Sequence, residues 1–145
     1  MAGHLARVHF APTWGSERQS LQAIASTLYS ANVQWIRDAL RRGLVPPLRA
    51  LSCEPPWCER GVFYVRYHGD APVGVERDYF DGPMMFHRGR GTCIDVASYD
   101  AAASTVIENR PATPEVVGEL PHFHCIVRFA DGSTFDPTAE ALPWR

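Results

Sequence analysis

With 145 residues, 46% of them apolar, and a net charge of -2 at pH 7, the chain has the size and composition of one globular domain with its own core. That charge argues against a basic nucleic-acid-binding surface, and no apolar run reaches the roughly 18 residues of a membrane span. From the charge we expect a protein that binds no nucleic acid. Because residues 1–20 also lack the apolar centre of a signal peptide, we expect it to be made in the cytoplasm.

The N-terminal part predicts an arm followed by a long helix. Residues 1–15 show no regular period, and we interpret them as an arm that docks on another surface. A helix is predicted over residues 16–43, because Ser16 and Gln19 form a capping-box pattern and Gly43 supplies a stop. Its apolar positions fall on one face: Leu21, Ile24, Ala25, Leu28, Asn32, Trp35, Ile36, Ala39 and Leu40. A helix of roughly 39 Å is long for this chain, so the stripe packs either on the chain's own core or partly on another subunit.

The middle of the chain carries few periodic signals. Residues 44–60 are rich in proline and are expected to be an extended connector. Residues 62–67 are β-branched and aromatic and predict a strand, whereas residues 70–91 are expected to form a loop with short strand pieces. The connector holds Cys53 and Cys58, whose spacing is wider than that of common zinc knuckles. We expect reduced thiols there, with a disulfide or a metal ion as the alternatives.

A second helix is predicted over residues 92–108, because Thr92 can cap an apolar, alanine-rich stretch that follows Gly91. Cys93 would then lie in the first turn, where the positive end of the helix dipole lowers a thiol pKa and free amides can hold an oxyanion. Cys93 is therefore a candidate nucleophile, and burial as a small apolar side chain is the alternative. Asp95 in the same turn has a simpler possible role, which is to stabilise the helix start.

The remaining C-terminal part predicts a β-hairpin. Residues 109–121 contain three prolines and a glycine and are expected to be a loop. Strands are expected over residues 122–129 and 133–136, joined at the turn sequence Asp131-Gly132. Cys125 in the first strand fits a buried structural thiol.

The hairpin carries His124 and Asp136, which could act on Cys93 as the base and the orienting carboxylate of a triad. A two-residue turn would place the histidine and the aspartate on opposite faces of the sheet. A three-residue loop over residues 130–132, with its glycine left-handed, would instead pair Ile126 with Asp136 and put His124 on the same face. We therefore predict the three-residue loop.

Two alternatives stay open at this hairpin. His122 has the same parity as His124 and competes for the base role, but it lies one pair further from Asp136, so we favour His124. Histidines two apart on a strand share a face, and His122 and His124 could bind a metal ion together with Cys93 or Asp136. No clear fourth ligand is present in the sequence.

Several motifs together resemble a known family. Gly91-x-Cys93-x-Asp95, followed by His124, Asp131-Gly132 and Asp136-Pro137-Thr138, resembles the Cys/His/Asp core of the transglutaminase-like branch of papain-fold cysteine proteases. Further motifs resemble small transglutaminase-like proteins encoded among phage structural genes: Pro46-Pro47-Leu48, Gly61-Val62-x-Tyr64 and Glu76. The likeness covers about residues 45–140.

The resemblance implies an α+β, papain-like fold in which the nucleophile helix packs on a small antiparallel sheet. It divides the chain into the arm, 1–15, and a single transglutaminase-like domain, 16–145, with the long helix at 16–43 and a core over residues 61–140.

The resemblance also implies acyl transfer without a cofactor. Cys93 would attack an amide carbonyl of a protein or peptide, such as a virion precursor or a cell-wall peptide, His124 would protonate the leaving amine, and Asp136 would orient the imidazole. The alternative is a non-catalytic virion component of a neck, connector or tail. Its long helix and arm would bind a ring-shaped partner after synthesis in a bacterial host.

Overall fold

The computed structural model of the chain describes residues 7–10, 17–65, 77–118 and 123–139. The helices within these residues are α1 (Glu17–Arg41), α2 (Gly82–Arg88) and α3 (Cys93–Val106), with a 3-10 turn at Ala50–Ser52. The strands are β1 (Arg7–Phe10), β2 (Phe63–Tyr64), β3 (Arg77–Phe80), β4 (Arg90–Gly91), β5 (Ala112–Val117), β6 (His124–Phe129) and β7 (Thr134–Phe135). The architecture is α+β, as expected. In the described part of the chain, no helix combines the length and the apolar character needed to cross a bilayer.

Strands pair in three small sheets. β1 and β3 are antiparallel, β2 and β4 are parallel, and β5, β6 and β7 form an antiparallel sheet in that order. Helix α3 packs on β5 and β6 of the three-stranded sheet, and α1 packs against both α3 and β5. The fully buried Ala97 and Ala101 of α3 belong to this core, and their small side chains allow the close approach.

Helix α1 confirms the predicted N-terminal helix, and Gly43 just beyond it has the left-handed φ of 79° that a helix stop requires. Its predicted apolar stripe is buried inside the chain: Leu21, Ile24, Ala25, Leu28, Asn32, Trp35, Ile36 and Ala39. The stripe therefore packs on the chain's own core. Leu21, Ile24, Ala25 and Leu28 belong to one apolar cluster and Trp35 and Ile36 to the other, so buried apolar residues of the core also lie outside residues 61–140.

The C-terminal hairpin has the predicted three-residue loop. The Phe129 N–H donates to Ser133 O at 2.9 Å, and Gly132 lies between them with a left-handed φ of 90°. Val127 is paired with Phe135. This register puts Ile126 opposite Asp136 and places Asp136 on the same face of the sheet as His124.

The arm and the first predicted strand are described only in part. Four residues of the 1–15 arm form β1, which is held against β3, so this part docks on its own chain. Residues 1–6 and 11–16 lie outside the described residues. Of the strand expected over residues 62–67, the described residues include β2, Phe63–Tyr64, and residues 66–76 lie outside the described part.

The short strand pieces expected within residues 70–91 are present as β3 and β4, but the loop expected between them is wrong, because that segment forms helix α2. Asp81 caps that helix by accepting from the Met84 N–H at 3.0 Å, and Pro83 lies in its first turn. Gly89 ends it with a φ of 73°. These are ordinary helix boundary signals, but the helix between them has only 7 residues and shows little periodicity.

The loop expected over residues 109–121 is also wrong, since it contains β5. Pro114 is tolerated there because β5 is an edge strand of the sheet. Gln22 of α1 covers that edge: its side chain donates to Pro114 O at 3.0 Å and accepts from the Val116 N–H at 2.8 Å. The backbone groups that a neighbouring strand would bind are thus satisfied by a side chain from another element.

The connector over residues 44–60 contains only the 3-10 turn, as expected for a proline-rich segment. Our expectation of reduced thiols is wrong at Cys53 and Cys58, which form a disulfide. Both cysteines are buried in the apolar cluster around Trp35. The bond closes a short loop at the edge of that cluster.

Reduction of this disulfide is expected to lower the free energy of unfolding by about 2 kcal/mol, the chain-entropy value for a loop with a sequence separation of 5. Urea unfolding with and without a phosphine reductant measures the change. The matched control is the double variant Cys53→Ser, Cys58→Ser, whose unfolding midpoint should not respond to reductant. An oxidised chain whose midpoint is equally unresponsive would contradict the prediction.

Candidate active site

The turn before α3 positions Cys93 at the first residue of the helix. Thr92 is the N-cap, and the capping box is complete: the Thr92 side chain accepts from the Asp95 N–H, and the Asp95 side chain accepts from the Thr92 N–H at 3.0 Å. Asp95 also accepts from the Phe80 N–H at 2.9 Å, which ties the turn to β3. The role expected for Asp95 at the helix start is confirmed.

Gly91, two residues before the thiol, packs against the side chain of Met85. A Cβ atom at this position would lie 2.6 Å from the Met85 Sδ atom, well inside contact distance. A larger residue would require the buried Met85 side chain to move. The glycine in the sequence motif therefore has a steric reason.

The Cys93 thiol is buried, with an exposed fraction of 4%. Burial raises its pKa from 9.0 to about 11, and the backbone amides of Cys125 and Ile94 offset only part of that rise. The low thiol pKa expected from the helix dipole is therefore wrong for this structure, because desolvation outweighs the dipole. Cys93 is a neutral thiol at pH 7.

His124 and Asp136 form a direct pair. The His124 Nε2 atom lies 2.9 Å from Asp136 Oδ2, and the two side chains are 28% and 26% exposed. The other carboxylate oxygen accepts from the N–H and the hydroxyl of Thr138, both at 3.2 Å. Thr138 is fully buried, so it fixes the orientation of the carboxylate. Sequence reasoning gave Thr138 no role, although Asp-Pro-Thr is a recognisable side-chain turn signal.

Cys93 and His124 line the same crevice. Its volume is about 10 Å³, room for about one water molecule, and its other walls are apolar: Leu21, Ile94, Val116 and Phe123. No hydrogen bond joins the thiol to the imidazole, both of which belong to the described residues. The structure thus brings the three predicted residues to one place, with the histidine and aspartate in contact and the thiol beside them.

The first turn of α3 also offers backbone donors. The N–H of Asp95 is bonded to the cap, and the N–H of Val96 donates to Thr92 O at 2.9 Å. Within the described part of the chain, the N–H of Cys93 has no hydrogen-bond acceptor, and the N–H of Ile94 faces the Cys93 sulfur, where it offsets part of the rise in the thiol pKa. Unpaired amides at a helix start are suited to a developing oxyanion.

The other residues that the sequence singles out for this site have no part in the Cys93 crevice or lie outside the described residues. Cys125 is fully buried in β6, as expected for a structural thiol. His122, the alternative base, and Glu76, from the phage-like motif, lie outside the described residues. The described residues contain no group of three or more potential metal ligands.

Comparisons with protein-family models, curated proteins and solved structures found no match to this chain. Its function therefore has to be argued from its own residues. The α+β architecture is shown by the structure, while its assignment to the papain-like class remains a prediction from the sequence motifs.

Proposed function

We propose that the chain is an acyl-transfer protein of the transglutaminase-like, papain-fold type that acts on an amide bond of a protein or peptide. The observation that carries the proposal is the 2.9 Å contact between His124 and Asp136 beside Cys93. A base oriented by a carboxylate, next to a cysteine at a helix start, is the arrangement that nucleophilic catalysis by a thiol needs. The phage-like motifs support a protein of a phage or phage-derived particle.

The proposed reaction starts from a neutral thiol, because burial holds the Cys93 pKa at about 11. In the proposed tautomer, Nε2–H donates a hydrogen bond to Asp136, so Nδ1 is the nitrogen that can accept the thiol proton. Sγ then attacks the carbonyl carbon, and the oxyanion lies against the amides of Cys93 and Ile94. The imidazolium gives its proton to the leaving amine, which departs as a thioester forms, and water or another amine resolves that ester.

Substrate access requires a rearrangement at the crevice. A space of about 10 Å³ holds no peptide, so the apolar side chains of Leu21 and Phe123 over the thiol must move aside when substrate binds. Such opening would also lower the desolvation of the thiol, and with it the thiol pKa.

A second candidate function is a non-catalytic virion component that keeps the fold as a scaffold. The burial of Cys93 favours it, because a structural cysteine is typically buried and unreactive. A partner would then contact the polar face of α1, since its apolar stripe is occupied by the chain's own core.

Labelling by iodoacetamide separates the two functions. If Cys93 is the nucleophile, it should label at pH 7 about 10²-fold faster than its small thiolate fraction alone would allow, and mass spectrometry should locate the adduct there. The Cys125→Ala variant should label as fast as the natural chain, and Cys93→Ala should not label at that rate. Labelling no faster than the thiolate fraction of Cys93 allows would refute the enzyme and leave the scaffold.

A further inference from the structure

Two clefts beside β2 and β4 lie outside the Cys/His/Asp site. The first has a volume of about 390 Å³ and is lined by Trp57, Arg60, Phe63, His87 and Arg88, among others. The second has a volume of about 250 Å³, with Val65, Phe80, Arg88, Arg90 and Asp95 in its walls. Arg88 lines both clefts, which are therefore neighbours. We refer to the two together as the basic groove.

Phe63 of β2 and Val65, the residue just after it, present apolar side chains to the basic groove. The N–H groups of Phe63 and Val65 donate to Gly89 O and Gly91 O at 3.0 and 2.8 Å, which fixes the strand on β4. Alternate residues of a strand point to the same side, and these two side chains are 63% and 37% exposed. Each lines one of the two clefts. Exposed apolar side chains rimmed by polar groups are typical of an interaction site.

Three guanidinium groups lie along the basic groove. Arg60, Arg88 and Arg90 form no ion pair with any of the described residues. The Arg88 guanidinium lies 4.4 Å from the centre of the Phe80 ring, a contact that holds its charge in place. Arg88 acts electrostatically on Asp95 in the same cleft, but none of the three cations is neutralised by a close ion pair with a described residue, which favours an anionic ligand.

We propose that the basic groove is a docking surface for an acidic segment of a partner protein that also carries an aromatic or large apolar side chain. Its carboxylates would pair with Arg60, Arg88 and Arg90, and its apolar side chain would cover Phe63. A nucleic acid fits less well, because Glu59, Asp78 and Asp95 also line the clefts and would repel a continuous row of phosphates. A peptide can place its carboxylates between these groups. The surface does not depend on the chemistry of Cys93.

The test is a fluorescence anisotropy titration of the full chain with a fluorescein-labelled peptide of alternating glutamate and glycine around one phenylalanine. The Arg88→Glu variant should weaken binding about tenfold, because attraction is lost and repulsion is added. The matched control is Arg42→Glu, which makes the same charge change at an exposed arginine outside both clefts and should change the affinity less than twofold. Cys93→Ala should bind as the natural chain does.

A second variant tests the apolar contact. Phe63→Ala should weaken binding of the phenylalanine peptide several-fold but leave the affinity for the same peptide without phenylalanine unchanged. The proposal is overturned if the acidic peptide does not bind, if Arg42→Glu weakens it as much as Arg88→Glu, or if labelled oligothymidylate binds more tightly through the same arginine.

Discussion

Replacing His124 with alanine is expected to slow iodoacetamide labelling of Cys93 about 10²-fold at pH 7, the lower range for loss of a general base. The physical reason is the buried thiol, whose pKa of about 11 leaves about one molecule in 10⁴ ionised at that pH. Without the imidazole, only this small thiolate fraction can react. The labelling rate of the variant should then rise about tenfold for each pH unit until the pH approaches 11.

The natural chain should show a shallower pH profile, because His124 can accept the thiol proton during the attack. The two profiles should converge near pH 11, where both chains carry a thiolate. The matched control is His87→Ala, which removes an exposed histidine that lies outside the Cys93 crevice and should leave the rate unchanged. Parallel profiles for His124→Ala and the natural chain would show that the imidazole plays no part in activating the thiol.

The parts of this site that local sequence signals determine were predictable. The Thr92 cap fixes where α3 starts, and hence where Cys93 lies in it. The three-residue loop of the hairpin, with Gly132 left-handed, fixes the strand register and therefore the meeting of His124 and Asp136. Each of these follows from a few neighbouring residues.

The burial of Cys93 could not be predicted in the same way. The crevice around the thiol is closed by Leu21 from α1 and Phe123 from the residue before β6, which are far from Cys93 in sequence. Their contribution to the desolvation of the thiol depends on how the helices pack on the sheet, and no local sequence pattern predicts that packing. The helix dipole is a local effect and favours a low thiol pKa. Desolvation is a tertiary effect, and it raises the pKa of Cys93.

Short elements were missed for a related reason. Helix α2 has only 7 residues, and β5, although its burial alternates, contains Pro114 in a segment that reads as a loop; each depends on other elements for support. For β5 that support includes Gln22, whose side chain satisfies the strand's outer edge. The long helix α1 could be predicted from the sequence alone, because its apolar stripe has a clear helical period.

The free energy of unfolding is expected to decrease as the pH rises from about 5 to about 8.5. In the Asp100→Asn variant this decrease should be smaller by about 3 kcal/mol. Asp100 lies in the middle of α3, is almost fully buried, and accepts from the Ala50 N–H at 2.8 Å. Burial raises its pKa from 3.8 to about 7. Between these two values the folded chain holds a proton that the unfolded chain has released. The stabilisation is therefore complete below the unfolded pKa and is lost as the pH rises through about 7.

Asparagine keeps the acceptor oxygen for the Ala50 N–H but does not titrate, which makes Asp100→Asn the appropriate test. Asp95, whose pKa burial also raises to about 7, should still cause a fall of similar size in the variant. Urea unfolding at several pH values measures both slopes, and the exposed Asp38→Asn variant should keep the pH dependence of the natural chain. If Asp100→Asn and the natural chain lose equal stability over this range, Asp100 releases its proton as readily in the folded chain as in the unfolded one. Burial in α3 would then carry no electrostatic cost, contrary to the position of the carboxylate in the apolar core.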